Sequence, residues 1–316
     1  MTERLPAEDR VAYSDVLSDD GTRLRAWTND PDGDIEGPTV VLCNGLGTSP
    51  WAWPALLRPD CGVRVVSWNH RGTGGSERPG DPSRVEMRAH IDDALSVMDH
   101  FGVHRAVAMG WSIGVNTAFE LAAEHPERVD GIFAVAGMPG DTFSTMLGPL
   151  RLPRPVARTV TTTVSRLMRL SGRAISPIST RLPVGPATVG LLSRTGFLAP
   201  VPDAELAARM VGDFLRTPVD WYFHLALGSS RHGRVSLRRI KVPVRFVAGS
   251  HDILAGARHM ASAASRLEQA EYVELRGTHF IAVEQPEAVH ELLLDFLDRV
   301  QDRRFSSPAP PVPPRT

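Results

Sequence analysis

The chain has 316 residues, of which 42% are hydrophobic and 22% charged, with a formal net charge of −1. Such a balance describes a globular chain with a large core and excludes the broadly basic surface of a non-specific nucleic-acid binder, so no nucleic-acid partner is expected. Two cysteines, Cys43 and Cys61, are too few for a disulfide framework, and the only lysine, Lys241, has no Gly-rich loop beside it, which disfavours Schiff-base and P-loop chemistry.

The first ten residues are polar and lack the apolar run of a signal peptide, and no later segment approaches the roughly 20 apolar residues of a membrane span. A reducing, cytoplasmic location is the expectation. Residues 11–17 and 24–28 read as strands around an Asp-Gly turn. Apolar strands then follow at 39–43, 63–68, 106–109, 131–136, 242–248 and 271–275, with helical patterns at 84–100, 115–124, 255–265 and 286–300. Uninterrupted apolar strands alternating with helices predict an α/β fold with a mostly parallel sheet covered on both faces. The rhythm stops after Gly137 and resumes near 235. The predicted organisation is therefore a core of residues 1–137 and 235–303, a helical lid inserted at 138–234, and a proline-rich, disordered tail at 304–316.

Strand 106–109 runs straight into Gly110-Trp111-Ser112-Ile113-Gly114, after which a helix begins. G-x-S-x-G between strand and helix places one serine on a turn too tight for flanking side chains, so Ser112 is the candidate nucleophile. A serine nucleophile needs a histidine to take its proton and a carboxylate to hold that histidine. In an open parallel sheet these come from loops at the carboxyl ends of strands, where Asp252 follows strand 242–248 and His279 follows strand 271–275.

Neither a cofactor nor a metal is expected. Gly45 and Gly47 begin a G-x-G pattern that Pro50 leaves incomplete, and His100 and His104 are separated by Gly102 with no carboxylate to complete a ligand set. His70, in the loop after strand 63–68, either borders the pocket or braces its loop.

Taken together, the Asn44-Gly45-Leu46-Gly47 loop, the Arg71-Gly72-Thr73-Gly74-Gly75-Ser76 turn, the Ser112 elbow, Gly249 with Asp252, and Gly277-Thr278-His279 make the chain similar to the serine α/β-hydrolases, in particular the lidded esterase- and lipase-like branch. The resemblance spans residues 11–300. It implies an α/β-hydrolase fold and a Ser112, Asp252, His279 triad in the family's chain order, with an oxyanion hole from the backbone N–H groups of Leu46 and Ile113. Some members keep the acid where Asp141 lies, so Asp141 stands as the alternative to Asp252. Many relatives also carry His-Gly where this chain has Asn44-Gly45. The implied activity is hydrolysis of a carboxylic ester or thioester with an apolar acyl part through an acyl-enzyme. Acyl transfer, perhydrolysis or C–C bond hydrolysis would use the same triad, and a non-catalytic ligand-binding protein is the reading from another class. Lidded relatives that open epoxides normally carry aspartate at the elbow, and serine there argues against that chemistry.

Trp51, Trp111, Phe214 and Tyr222 are expected to wall the acyl pocket, although Trp51 and Trp53 serve equally well as packing for the first helix. Between Asp141 and Asp203 there are eight arginines and no acidic residue. At about 100° per residue, Val156, Val160, Val164, Leu167 and Met168 share an arc opposite Arg158, Arg166, Arg169 and Arg173. Threonines and valines make this a poor intrinsic helix, so its apolar face is expected to be buried against the core or a lipid surface. Two readings stay open: a lid helix with a solvated arginine face, or a contact with an anionic membrane or acyl carrier. A second lid helix should start at the cap residue Asp203.

Overall fold

The apolar runs become strands β1 (Ala12–Leu17), β2 (Arg23–Thr28), β3 (Thr39–Cys43), β4 (Arg64–Trp68), β5 (Ala106–Trp111), β6 (Val129–Val135), β7 (Val244–Gly249) and β8 (Ala270–Leu275). The structure, a computed structural model, describes residues 10–146, 153–233 and 235–306. Among these, the strands form one eight-stranded sheet in the order β1-β2-β4-β3-β5-β6-β7-β8. β1 and β2 pair antiparallel, as do β2 and β4, and the remaining neighbours run parallel. The predicted tail from residue 307 onward and Arg151 of the insertion lie outside the described residues.

Alternation along the strands splits the core in two. Val41, Val66, Ala108, Ile132 and Phe246 face a layer that includes helices α1 (Met87–His100) and α2 (Gly114–Glu124). Val40, Val65, Met109, Phe133 and Val247 face the other side. The strands are thus apolar without interruption because both faces of the sheet are covered. The periodicity predicts α1 from residue 84, yet it starts at Met87. Asp81 accepts hydrogen bonds from the backbone and hydroxyl of Ser83, and Arg84 N–H bonds the Asp81 carbonyl, so a turn takes those positions.

Between β6 and β7 lie helices α3 (Arg154–Ser179), α4 (Pro186–Arg194), α5 (Ala204–Arg216) and α6 (Val219–Ser229). Asp203 caps α5, accepting from the N–H groups of Glu205 and Leu206 at 3.0 and 2.9 Å. Of the two expected settings for the apolar face of α3, the structure removes burial against the core. The buried residues of α3 are Ala157, Ser165, Gly172 and Ser179, while Val156, Val160, Val164 and Leu167 are exposed. The reason is steric: α3 crosses α6 so closely that a Cβ on Gly172 would overlap the backbone nitrogen of Asp220. Ser176 Oγ accepts the Val219 N–H at 2.9 Å in the same crossing. Only small side chains fit that face, and the larger apolar ones are left outside.

After β7 come α7 (Ala257–Ala264), the short α8 (Ile281–Glu284) and α9 (Pro286–Ser306), whose Val289, Leu293, Phe296 and Leu297 close the second layer. No helix among the described residues is long and apolar enough to cross a membrane.

His70 is not a pocket residue. It lies buried, edge-to-face against His90 with ring centroids 5.3 Å apart, and neither ring nitrogen of His90 has a hydrogen-bond partner among the described residues. Burial pulls the His70 imidazole down to about 4, and burial together with the nearby Arg71 charge pulls His90 well below its ordinary value. Both are neutral in the fold under conditions in which the unfolded chain binds protons. Unfolding free energy should therefore fall as pH drops from about 6.5 toward 4, by roughly 1.4 kcal/mol per pH unit for each histidine. Urea titrations at several pH values should show this slope, and His90→Phe should flatten it by about half.

Candidate active site

β5 ends at Trp111 and α2 begins at Gly114, which leaves Ser112 and Ile113 to reverse the chain. Ser112 takes up the turn with φ of 57°, a left-handed conformation costly for a residue bearing a Cβ. Surrounding backbone enforces it. A Cβ on Gly114 would overlap the Cys43 carbonyl at the end of β3, and one on Gly137 would overlap the carbonyl of Ser112 itself. The elbow thus closes only where three chain segments can touch without side chains between them.

The loops after β7 and β8 bring their polar groups to this point. His279 Nε2 stands 2.9 Å from Ser112 Oγ, and its Nδ1 stands 2.8 Å from Asp252 Oδ2. The other oxygen of Asp252 accepts the N–H groups of Leu254 and Ala255, each at 2.7 Å. An ionised carboxylate only accepts, so Nδ1 carries the proton and Nε2 offers its lone pair to the serine hydroxyl. The Asp252 side chain is fully buried, while Ser112 is half-buried and reachable. Asp141 is occupied elsewhere. It accepts from Ser144 N–H at the start of a short 3-10 turn and pairs with Arg158 of α3.

The N–H groups of Leu46 and Ile113 have no acceptor among the described residues. Both side chains border a small cluster with Trp221, Leu225 and Val85, so α6 rests directly on this part of the site. Phe214 of α5 and Tyr222 of α6 meet edge-to-face at 5.1 Å and lie over Gly47, beside Leu46. Burial pushes the Tyr222 hydroxyl up to about 12, which keeps it neutral.

Two predicted wall residues serve other purposes. Trp111 is 2% exposed; its indole N–H donates to the His279 carbonyl at 3.0 Å, and its ring lies 5.8 Å from the imidazole. It supports the histidine from beneath rather than lining a pocket. Trp51 is buried in the core and stacks under the guanidinium of Arg209 at 4.2 Å, joining the first 3-10 turn to α5. Trp51 also borders a cavity lined by Val184, Ala208 and Arg209 of the insertion.

Sequence reasoning also missed residues that hold the site. Glu284 of α8 is buried and accepts from Thr278 N–H at 2.7 Å, Thr278 Oγ1 at 2.5 Å and, from the insertion, Ala199 N–H at 2.8 Å. A lone carboxylate in the apolar run 281–284 was the available signal. Asn44, where many relatives have histidine, accepts from Gly45 N–H at 3.0 Å and from the Trp53 indole at 3.1 Å, bracing the loop that carries Leu46.

Residues 38–160 match a family model for the alpha/beta hydrolase fold. Over 141 residues the chain is 30% identical to epoxide hydrolase B of Mycobacterium tuberculosis, a match that covers 40% of this chain and only 39% of that protein. The structure resembles the enol-lactonase from Burkholderia xenovorans LB400, with a TM-score of 0.65 at 23% identity over 91% of this chain and 100% of that one. It likewise resembles a thermophilic esterase from Thermogutta terrifontis, with a TM-score of 0.66 at 20% identity over 92% and 99%. At these identities the two structural likenesses concern the fold. What the chain shares with them is the α/β-hydrolase fold.

The strain at Ser112 can be measured directly. Ser112→Gly should be more stable than Ser112→Ala by about 1 kcal/mol in denaturant unfolding, because glycine adopts the same turn without a Cβ.

Proposed function

We propose that the chain is a cofactor-independent serine hydrolase that cleaves a carboxylic ester or thioester with an apolar acyl group. The observation that supports this reading best is the continuous hydrogen-bonded path from Ser112 through His279 to Asp252. In the proposed reaction Ser112 Oγ attacks the carbonyl carbon as its proton passes to His279 Nε2. The developing oxyanion takes hydrogen bonds from the N–H groups of Leu46 and Ile113, two donors that together supply several kcal/mol of transition-state stabilisation. Collapse breaks the bond to the alcohol or thiol, which leaves with the proton from His279. Water, deprotonated by the same nitrogen, then attacks the acyl-enzyme, and the carboxylic acid departs as Ser112 regains its proton.

Asp252 stabilises the imidazolium that forms twice in each cycle and fixes its tautomer. Phe214 and Tyr222, lying over the oxyanion loop, make an apolar roof suited to an acyl chain. The serine at position 112 favours acyl chemistry over epoxide opening despite the partial likeness to an epoxide hydrolase. A nucleophilic serine would leave an ester to water, whereas it would leave an opened epoxide as a stable ether.

A fluorophosphonate probe should label the native chain and fail to label Ser112→Ala; no labelling of well-folded native protein would sink the reading. Across p-nitrophenyl esters and acyl-CoA thioesters of increasing length, kcat/KM should rise with apolar chain length. With the best of these, Asp252→Asn should lower kcat on the order of 10³–10⁴-fold, while Asp141→Asn should leave it within a few-fold. The reverse pattern would move the acid to Asp141.

A further inference from the structure

The apolar side of α3 points away from the protein. Leu167 is 60% exposed, Leu170 79% and Ile178 67%, and Val156, Val160 and Val164 are exposed as well. At about 100° per residue these six lie within a third of the helix circumference. Burying them would remove apolar area from water that the fold itself leaves uncovered.

α3 therefore has three faces. Small residues pack on α6, large aliphatic residues meet solvent, and Arg166, Arg169 and Arg173 form a basic border on the remaining side. These three arginines are exposed, and no carboxylate among the described residues pairs with them; Arg158, nearer the helix start, is paired with Asp141. An apolar stripe edged by unpaired arginines matches the chemistry of an anionic lipid surface. Acyl chains receive the aliphatic residues while guanidinium groups reach the phosphates alongside.

We propose that α3 docks this protein peripherally on membranes rich in anionic lipid, lying in the interface plane with Leu167 and Leu170 inserted. The inner side of its partner α6 rests on Leu46 and Ile113, so docking would place the lid, and through it the site, at the membrane surface. The inference stands apart from the ester-hydrolase reading: Ser112→Ala should bind vesicles as the parent chain does.

Co-sedimentation of the full chain with vesicles of phosphatidylglycerol and phosphatidylcholine, against phosphatidylcholine alone, tests it. Binding should be confined to the anionic vesicles and weaken with salt. Each arginine near the surface contributes roughly a fivefold factor, so Arg166→Gln, Arg169→Gln and Arg173→Gln together should weaken partitioning on the order of a hundredfold. That triple variant should keep the parent's turnover of a short soluble ester. Leu167→Glu with Leu170→Glu should abolish binding. Both native cysteines are buried, so an environment-sensitive dye on Leu170→Cys should shift to the blue with anionic vesicles. Equal binding to both vesicle types, no binding, or unchanged binding by the variants would overturn the proposal. So would a doubled solution mass that Leu167→Glu reduces to the monomer, which would make a second copy the occupant.

Discussion

Ser112 is held at a φ of 57° because the end of β3, the start of α2 and the bend after β6 all converge on it, with glycine at the points of contact. The strain has a chemical use. A relaxed turn would let the hydroxyl rotate with its backbone, whereas a turn wedged between three rigid segments fixes the direction in which Oγ leaves the sheet. The positions of Asp252 and His279 have value only against that fixed direction. Their loops emerge from β7 and β8, whose parallel pairing sets them side by side at the same edge of the sheet.

Around this centre, the supporting contacts are largely hydrogen bonds from backbone or indole N–H groups. Two N–H groups hold Asp252, the Trp111 indole holds the carbonyl of His279, and Asn44 joins Trp53 to the loop that carries Leu46. Such groups are rigid and do not titrate near neutral pH, so the geometry they impose does not vary with pH in that range. Deeper in the core, Arg71 and Asp93 form a fully buried pair that also engages Ser18, a costly arrangement unless every donor is satisfied.

Much of this was legible in the chain because it depended on local signals. Buried parallel strands announced themselves as unbroken apolar runs, and the elbow as a serine among glycines. What escaped were the side chains whose role depends on how distant segments meet. Trp111 is as hydrophobic as a pocket wall would be, and only the approach of the β8 loop reveals that it supports His279. Glu284 resembles any helix carboxylate until Thr278 and Ala199 are seen to share it. For α3, periodicity located an apolar arc correctly but could not say which arc faces inward. Gly172 and Ser165 decide that, since the depth of the crossing with α6 admits nothing larger.

Hydrogen bonds tie the insertion to the core at several separate places, among them Asn116 with the backbone of Gly140 near its start. The Trp221 indole donates to the Arg71 carbonyl at 2.8 Å, and Ala199 donates to Glu284. The Trp221 bond reaches the charged network below α1, and the Ala199 bond reaches the loop that carries His279. Lifting the insertion away as a rigid piece would break all of these bonds. The insertion is therefore pinned to the core near its start, in its middle and towards its end, as a fixed layer over the Ser112 side of the sheet.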